Sequence, residues 1–65
     1  MNIQTFEKLD MWAAKNGKSM FFTIGRLCKN EDELRTHVFV AGKTGGIPAD
    51  VIAGYEFQRA VESAM

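Results

Sequence analysis

The chain has one cysteine, one histidine, one proline, one tryptophan and one tyrosine in 65 residues, and its eight Lys and Arg are balanced by eight Asp and Glu. Cys28 alone cannot close an internal disulfide. Together with His37 it supplies too few nitrogen and sulfur ligands for a four-ligand zinc site, so neither common staple of a small domain is expected. The longest apolar stretches are a few residues, against the roughly 20 needed to cross a bilayer. The start, Met1-Asn2-Ile3-Gln4, has no basic segment followed by an apolar one, so no leader peptide is expected. A free thiol fits a reducing compartment, and the expected localisation is cytoplasmic. There is no repeat or low-complexity tract, and five Phe with the Trp and Tyr argue against disorder. A single globular domain over residues 1–65 is expected.

A chain of this length buries only about 60% of the surface its unfolded form exposes, and small domains commonly need a staple. With disulfide and metal set aside, the remaining staple is a second copy of the chain or another partner.

From Ile3 to Asn16, the apolar Ile3, Phe6, Leu9, Trp12 and Ala13 fall within about half of a helical wheel. Glu7, Lys8 and Lys15 lie mostly opposite, and Gly17 follows as a C-terminal cap. Ser19–Lys29 (SMFFTIGRLCK) and Leu34–Ala41 (LRTHVFVA) are rich in aromatic and β-branched residues, and the polar Asn30-Glu31-Asp32-Glu33 separates them. This pattern predicts two antiparallel strands joined by a four-residue turn. The register that follows sets Lys29 opposite Leu34, Cys28 opposite Arg35, Arg26 opposite His37 and Ile24 opposite Phe39. One sheet face then holds Phe21, Thr23, Leu27, Leu34, Thr36, Val38 and Val40. The other carries Met20, Phe22, Ile24 and Phe39 at one end and Arg26, Cys28, Arg35 and His37 at the other. After a Lys43–Gly46 loop, Pro48 opens a helix from about Ala49 to Ser63. Its apolar residues form two stripes, Ala53, Phe57, Ala60, Val61 and Ala64 on one side and Val51, Ile52 and Tyr55 on another, interrupted by Arg59 and Glu62. The predicted fold class is therefore α+β: an α-β-β-α domain with an antiparallel hairpin flanked by two helices. A two-stranded sheet is marginal alone and exposes both edges, so a homodimer with a larger, shared sheet is expected.

No catalytic residue, cofactor or metal site emerges. The segment Gly42-Lys43-Thr44-Gly45-Gly46 lies where a phosphate-binding loop would, but His37 stands where such a loop needs its first glycine. Cys28 and His37 are not opposite each other in the predicted register, and no segment remains for an oxyanion hole. Glu31, Asp32 and Glu33 make a solvated run. Charge is more informative. Residues 1–14 hold Lys8 against Glu7 and Asp10, net −1. Residues 15–43 hold Lys15, Lys18, Arg26, Lys29, Arg35 and Lys43 against Glu31, Asp32 and Glu33, net +3. Residues 44–65 hold Arg59 against Asp50, Glu56 and Glu62, net −2.

Two partner classes follow. Met11, Trp12, Phe22, Phe39 and Tyr55 are the candidate protein-contact residues, since aromatics and Met are enriched at binding surfaces. Trp12 is weighed more toward the core and Met11 toward contact. Arg26, Lys29, Arg35, His37 and Lys43 are the candidate anion or nucleic-acid contacts on a basic hairpin, although zero net charge disfavours phosphate affinity. In size and character the chain is similar to the small accessory and inhibitor proteins of bacteriophages and mobile elements, a likeness that transfers no residue roles. The expected function is that of a non-enzymatic interaction protein, a homodimer acting by stoichiometric binding to a protein partner, as an inhibitor of a host machine does. The alternative is a small nucleic-acid-binding module.

Overall fold

The structure is a computed structural model that describes residues 3–64, with side chains from Gln4 onward. Met1, Asn2 and the Ile3 side chain, which the sequence places at the start of the first helix's buried face, lie outside the described residues. Four helices account for the fold of the described residues: α1 (Ile3–Lys15), α2 (Met20–Leu27), α3 (Glu31–Lys43) and α4 (Pro48–Ser63). There is no strand among the described residues. The α+β expectation is thereby corrected to an all-helical fold, and the hairpin, its register, its two faces and the dimer built on a shared sheet fall with it.

Local chemistry explains the helices. Asn30, expected in a hairpin turn, is the N-cap of α3: its Oδ1 accepts from the Glu33 amide at 2.9 Å. The Glu33 carboxylate in turn accepts from the Lys29 amide at 3.1 Å, which makes a reciprocal cap shifted by one residue. Glu31, Asp32 and Glu33 fill the first turn, where negative charge meets the positive end of the helix dipole. The run read as a solvated turn is a helix start. Ser19 caps α2 by accepting from the Phe21 amide at 3.2 Å, and its hydroxyl donates to Asp50 Oδ2 at 2.6 Å. One hydroxyl thus ties together the starts of α2 and α4.

The helix ends are equally specified. Gly17 (φ 71°) closes α1 with the Lys18 amide donating to the Ala13 carbonyl at 2.8 Å. Gly45 (φ 77°) closes α3 with the Gly46 amide donating to the Ala41 carbonyl at 2.7 Å. Both are glycine caps in which the left-handed residue lets the chain turn back on the helix it has just left. The Gly-rich loop is therefore a helix stop, and the Phe21 ring covers Gly46 so closely that a Cβ there would overlap it.

α2 sits at the centre and packs against each of the other three helices. Its crossing with α4 is reciprocal. A Cβ on Gly25 would overlap the Val51 carbonyl and stand 2.9 Å from the Tyr55 nitrogen, while one on Gly54 would overlap the Phe22 carbonyl and stand 3.1 Å from the Arg26 nitrogen. Each glycine thus fits between two residues, four apart, on the facing helix. The two helices run in the same sense, joined at one end by Ser19 and Asp50 and at the other by Arg26 Nε donating to Gln58 Oε1 at 3.0 Å. Buried around this crossing are Ala13, Phe22, Thr23, Cys28, Ala41 and Val51. Thr23 is satisfied by donating to Asp10 Oδ1 of α1 at 3.3 Å.

On α4 the two expected stripes are redistributed. Val51 is buried and Tyr55 half-buried, leaving only Ile52 of that stripe exposed. From the other stripe Ala53, Ala60 and Ala64 face solvent, and only Phe57 and Val61 are half-buried. Of the eight residues in the two stripes, four are buried or half-buried against neighbouring helices and four, three of them alanines, face solvent.

Candidate functional site

Two surfaces collect the residues of interest. The first is an aromatic and arginine cluster built by α1, α2 and α4. Trp12 stacks on Phe22 with centroids 6.0 Å apart and meets Phe57 at 5.1 Å, and Phe22 and Phe57 are 5.5 Å apart. Arg26 lies over Trp12 at 5.3 Å and Phe57 at 4.9 Å. Its guanidinium is delocalised and weakly hydrated, so it can rest on ring faces while Gln58 accepts from its Nε. Desolvation pulls its pKa below the ordinary arginine value, and no described carboxylate pairs with it.

Beside the cluster opens a groove of about 350 Å³, lined at its base by Leu9, Leu27 and Cys28 and elsewhere by Thr5, Arg26, Lys29, Gln58, Arg59 and Glu62. Arg59 lies over Tyr55 at 5.0 Å and reaches Glu62 at 3.1 Å. Its Nε is buried with no hydrogen-bond partner among the described residues. Gln58 Nε2 also donates to Glu62, at 3.4 Å. Cys28 donates from Sγ to the Ile24 carbonyl at 3.3 Å. Burial first, and the nearby Glu33 charge second, push its thiol pKa up, the opposite of what a nucleophile requires.

The second surface is the outward side of α3. Leu34, Val38 and Ala41 turn inward at helical spacing, so Asp32, Arg35, Thr36, Phe39, Val40 and Lys43 face out. Phe39 is 64% exposed and Val40 47%. Lys43 lies over the Phe39 ring at 5.4 Å. Arg35 is held by Glu31 at 3.5 Å and Asp32 at 3.4 Å.

The candidate protein-contact residues therefore divide. Met11 is 61% and Trp12 37% exposed on α1, and Phe39 is exposed on α3, a helix that does not pack against α1. Tyr55 is half-buried under Arg59. Phe22 is corrected from contact surface to core, at 3% exposure, because the absence of a side chain at Gly54 lets α4 close over it. The candidate anion contacts divide as well. Arg26 and Lys29 share the groove, whereas Arg35, His37 and Lys43 stand on exposed positions of α3. Sequence reasoning missed Arg59, Gln58 and Thr5. The available signal was the interruption of an apolar stripe by Arg59 and Glu62. No group of three or more His, Cys, Asp or Glu among the described residues is arranged to hold a metal ion. No described helix is long and apolar enough to cross a membrane.

Compared with known proteins, the chain matches no family model, no curated protein sequence and no solved structure.

Proposed function

We propose that the chain is a non-enzymatic interaction protein that binds a protein partner stoichiometrically, in a reducing, cytoplasmic setting that suits its one free thiol, with the outward side of α3 as a principal contact. The observation that carries this is Phe39, an aromatic side chain left 64% exposed next to Val40 on a regular helix. Fully burying a Phe contributes on the order of 1.5–3 kcal/mol, and buried aromatic anchors dominate protein interfaces. Arg35, Thr36 and Lys43 give the apolar pair a polar rim, the usual anatomy of a contact patch. Nucleic acid is the poorer fit. Arg35 is already matched by two carboxylates, Arg26 is set into aromatic faces, and the first turn of α3 carries three acidic residues that repel phosphate.

The test is capture of a partner from the native host by the tagged full chain and by Phe39→Asp, with circular dichroism confirming equal helicity. The expected result is one protein recovered in stoichiometric amount by the wild type and reduced at least tenfold by Phe39→Asp. Equal recovery by both would sink the α3 assignment. Light scattering over a wide concentration range measures whether a second copy of the chain is itself a partner.

A further inference from the structure

We infer that the groove between α1, the end of α2 and the last turns of α4 is a seat for an acidic, partly apolar segment of the protein partner, its carboxylate received by Lys29 and Arg59 beside Arg26. This rests on the protein-binding reading and adds the partner's chemistry at a surface distinct from the outward side of α3.

Charge complementarity singles out the occupant. Three cations line the groove, Arg26, Lys29 and Arg59, against one lining carboxylate, Glu62. Glu62 is already engaged by Arg59 and Gln58, and Glu33, near the rim, accepts from the Lys29 backbone amide. Lys29 has no ion pair among the described residues, and Arg26 has an amide and two rings for partners but no carboxylate. Arg59 is held on one side by Glu62 at 3.1 Å, and its side chain keeps 40% of its surface open to an arriving carboxylate. Guanidinium forks match carboxylates through paired, charge-assisted hydrogen bonds.

The remaining lining selects among anions. Leu9 and Leu27 give an apolar base, and Thr5 and Gln58 add neutral hydrogen-bonding groups. A ligand with an aliphatic side chain next to its carboxylate uses both parts, whereas an inorganic anion leaves the leucines uncovered. The volume, about 350 Å³, lies at the low end of ligand sites and suits a short segment. A polyanionic strand is disfavoured because Glu62 lines the groove and the Glu33 carboxylate sits on the backbone amide of Lys29.

The test uses the full chain, labelled with nitrogen-15, and three fluorescein-tagged probes: a hexapeptide alternating Glu and Leu, the same peptide with Gln for Glu, and a thymidine hexanucleotide. The Glu-Leu peptide should shift the Nε–H resonances of Arg59 and Arg26 and bind at least roughly tenfold tighter than its Gln counterpart. Lys29→Glu, at an exposed position, and Arg59→Gln should each weaken it about tenfold, and added salt should weaken it further. Equal binding of the Gln peptide, unmoved arginine resonances, indifference to Lys29→Glu, or tighter binding of the hexanucleotide would each overturn the proposal. Failure of the two readings is separable. A captured partner that survives Lys29→Glu but not Phe39→Asp leaves protein binding standing and removes the groove, whereas one that survives both removes each contact.

Discussion

α2 and α3 both carry aromatic and β-branched residues, yet α2, with one charged residue in eight, forms the middle of the molecule and α3, with five in thirteen, its outside. α2 contains Met20, Phe21, Phe22, Ile24 and Leu27, and α3 contains Leu34, Val38, Phe39 and Val40. Phe22 is 3% exposed and Phe39 64%. The difference lies in what faces each helix. Gly25 and Gly54 allow the backbones of α2 and α4 to approach until a single methyl group would not fit between them, and this closes the crossing around Phe22. α3 has only the stripe of Leu34, Val38 and Ala41 to bury and turns its other apolar residues outward. Burial here follows both from the more apolar composition of α2 and from how closely its backbone and that of α4 can approach.

The largest expected effect breaks the contrast at its two aromatics. Phe22→Ala should cost about 3–5 kcal/mol in urea unfolding, through the lost transfer energy and the cavity left between Trp12 and Phe57. Phe39→Ala should stay within about 0.5 kcal/mol of wild type, since it removes little buried surface. A chain of 65 residues is expected to have only about 3–10 kcal/mol of total stability, so the first substitution approaches complete unfolding.

The glycines sharpen the same comparison. Gly25→Ala and Gly54→Ala should each destabilise by about 3 kcal/mol, because the added Cβ meets backbone that cannot rotate away. Gly42→Ala in α3 should instead stabilise by about 0.5–1 kcal/mol: its Cβ meets nothing closer than the Pro48 ring at 3.8 Å, and alanine is the better helix former. Thermal melts of the three variants measure both signs in one experiment. If Gly25→Ala melts like wild type, the crossing does not control burial.

A smaller effect is expected at the start of α3. Asn30→Ala removes the acceptor for the Glu33 amide and should cost about 1 kcal/mol, with hydrogen exchange speeding up in the first turn of α3 before the crossing is affected.

The smallest concerns Cys28. Its thiol pKa is raised in the folded state, so over that window the folded chain retains a proton that the unfolded chain has released. This contribution to stability is complete below the ordinary thiol pKa and is lost as pH rises through the raised value. Above the ordinary thiol pKa of about 8.5, the urea midpoint should therefore fall more steeply with pH in wild type than in Cys28→Ala, and a parallel decline in both would refute it.

Much of α1 and α4 was legible in the sequence because their apolar residues recur at helical spacing and their boundaries carry Gly17 and Pro48. The middle was misread for a definite reason. Aromatic and β-branched residues favour strands only as far as their neighbours allow, and here the neighbours are helices. The counter-signals were present: Asn30 followed three residues later by Glu33, Ser19 before Met20, and inward spacing of Leu34, Val38 and Ala41 in place of alternation. Of the candidate site, Arg26 and Lys29 were named from charge and Met11, Trp12 and Phe39 from residue type. Arg59 was not, because its role arises from α4 lying beside the end of α2, which brings it to Lys29, 30 residues away.

The sequence by itself determined the caps and the stops, which depend on residues about one helical turn apart, and the balance of charge, which depends on composition alone. Zero net charge still hides an uneven arrangement, but the positive middle is divided between a groove and an outward helix face. Only the tertiary structure decided which of the aromatics Phe22 and Phe39 became core. That choice rests on Gly25 and Gly54 meeting across 29 residues of chain, and steric fit between distant backbones leaves no periodic mark in a sequence.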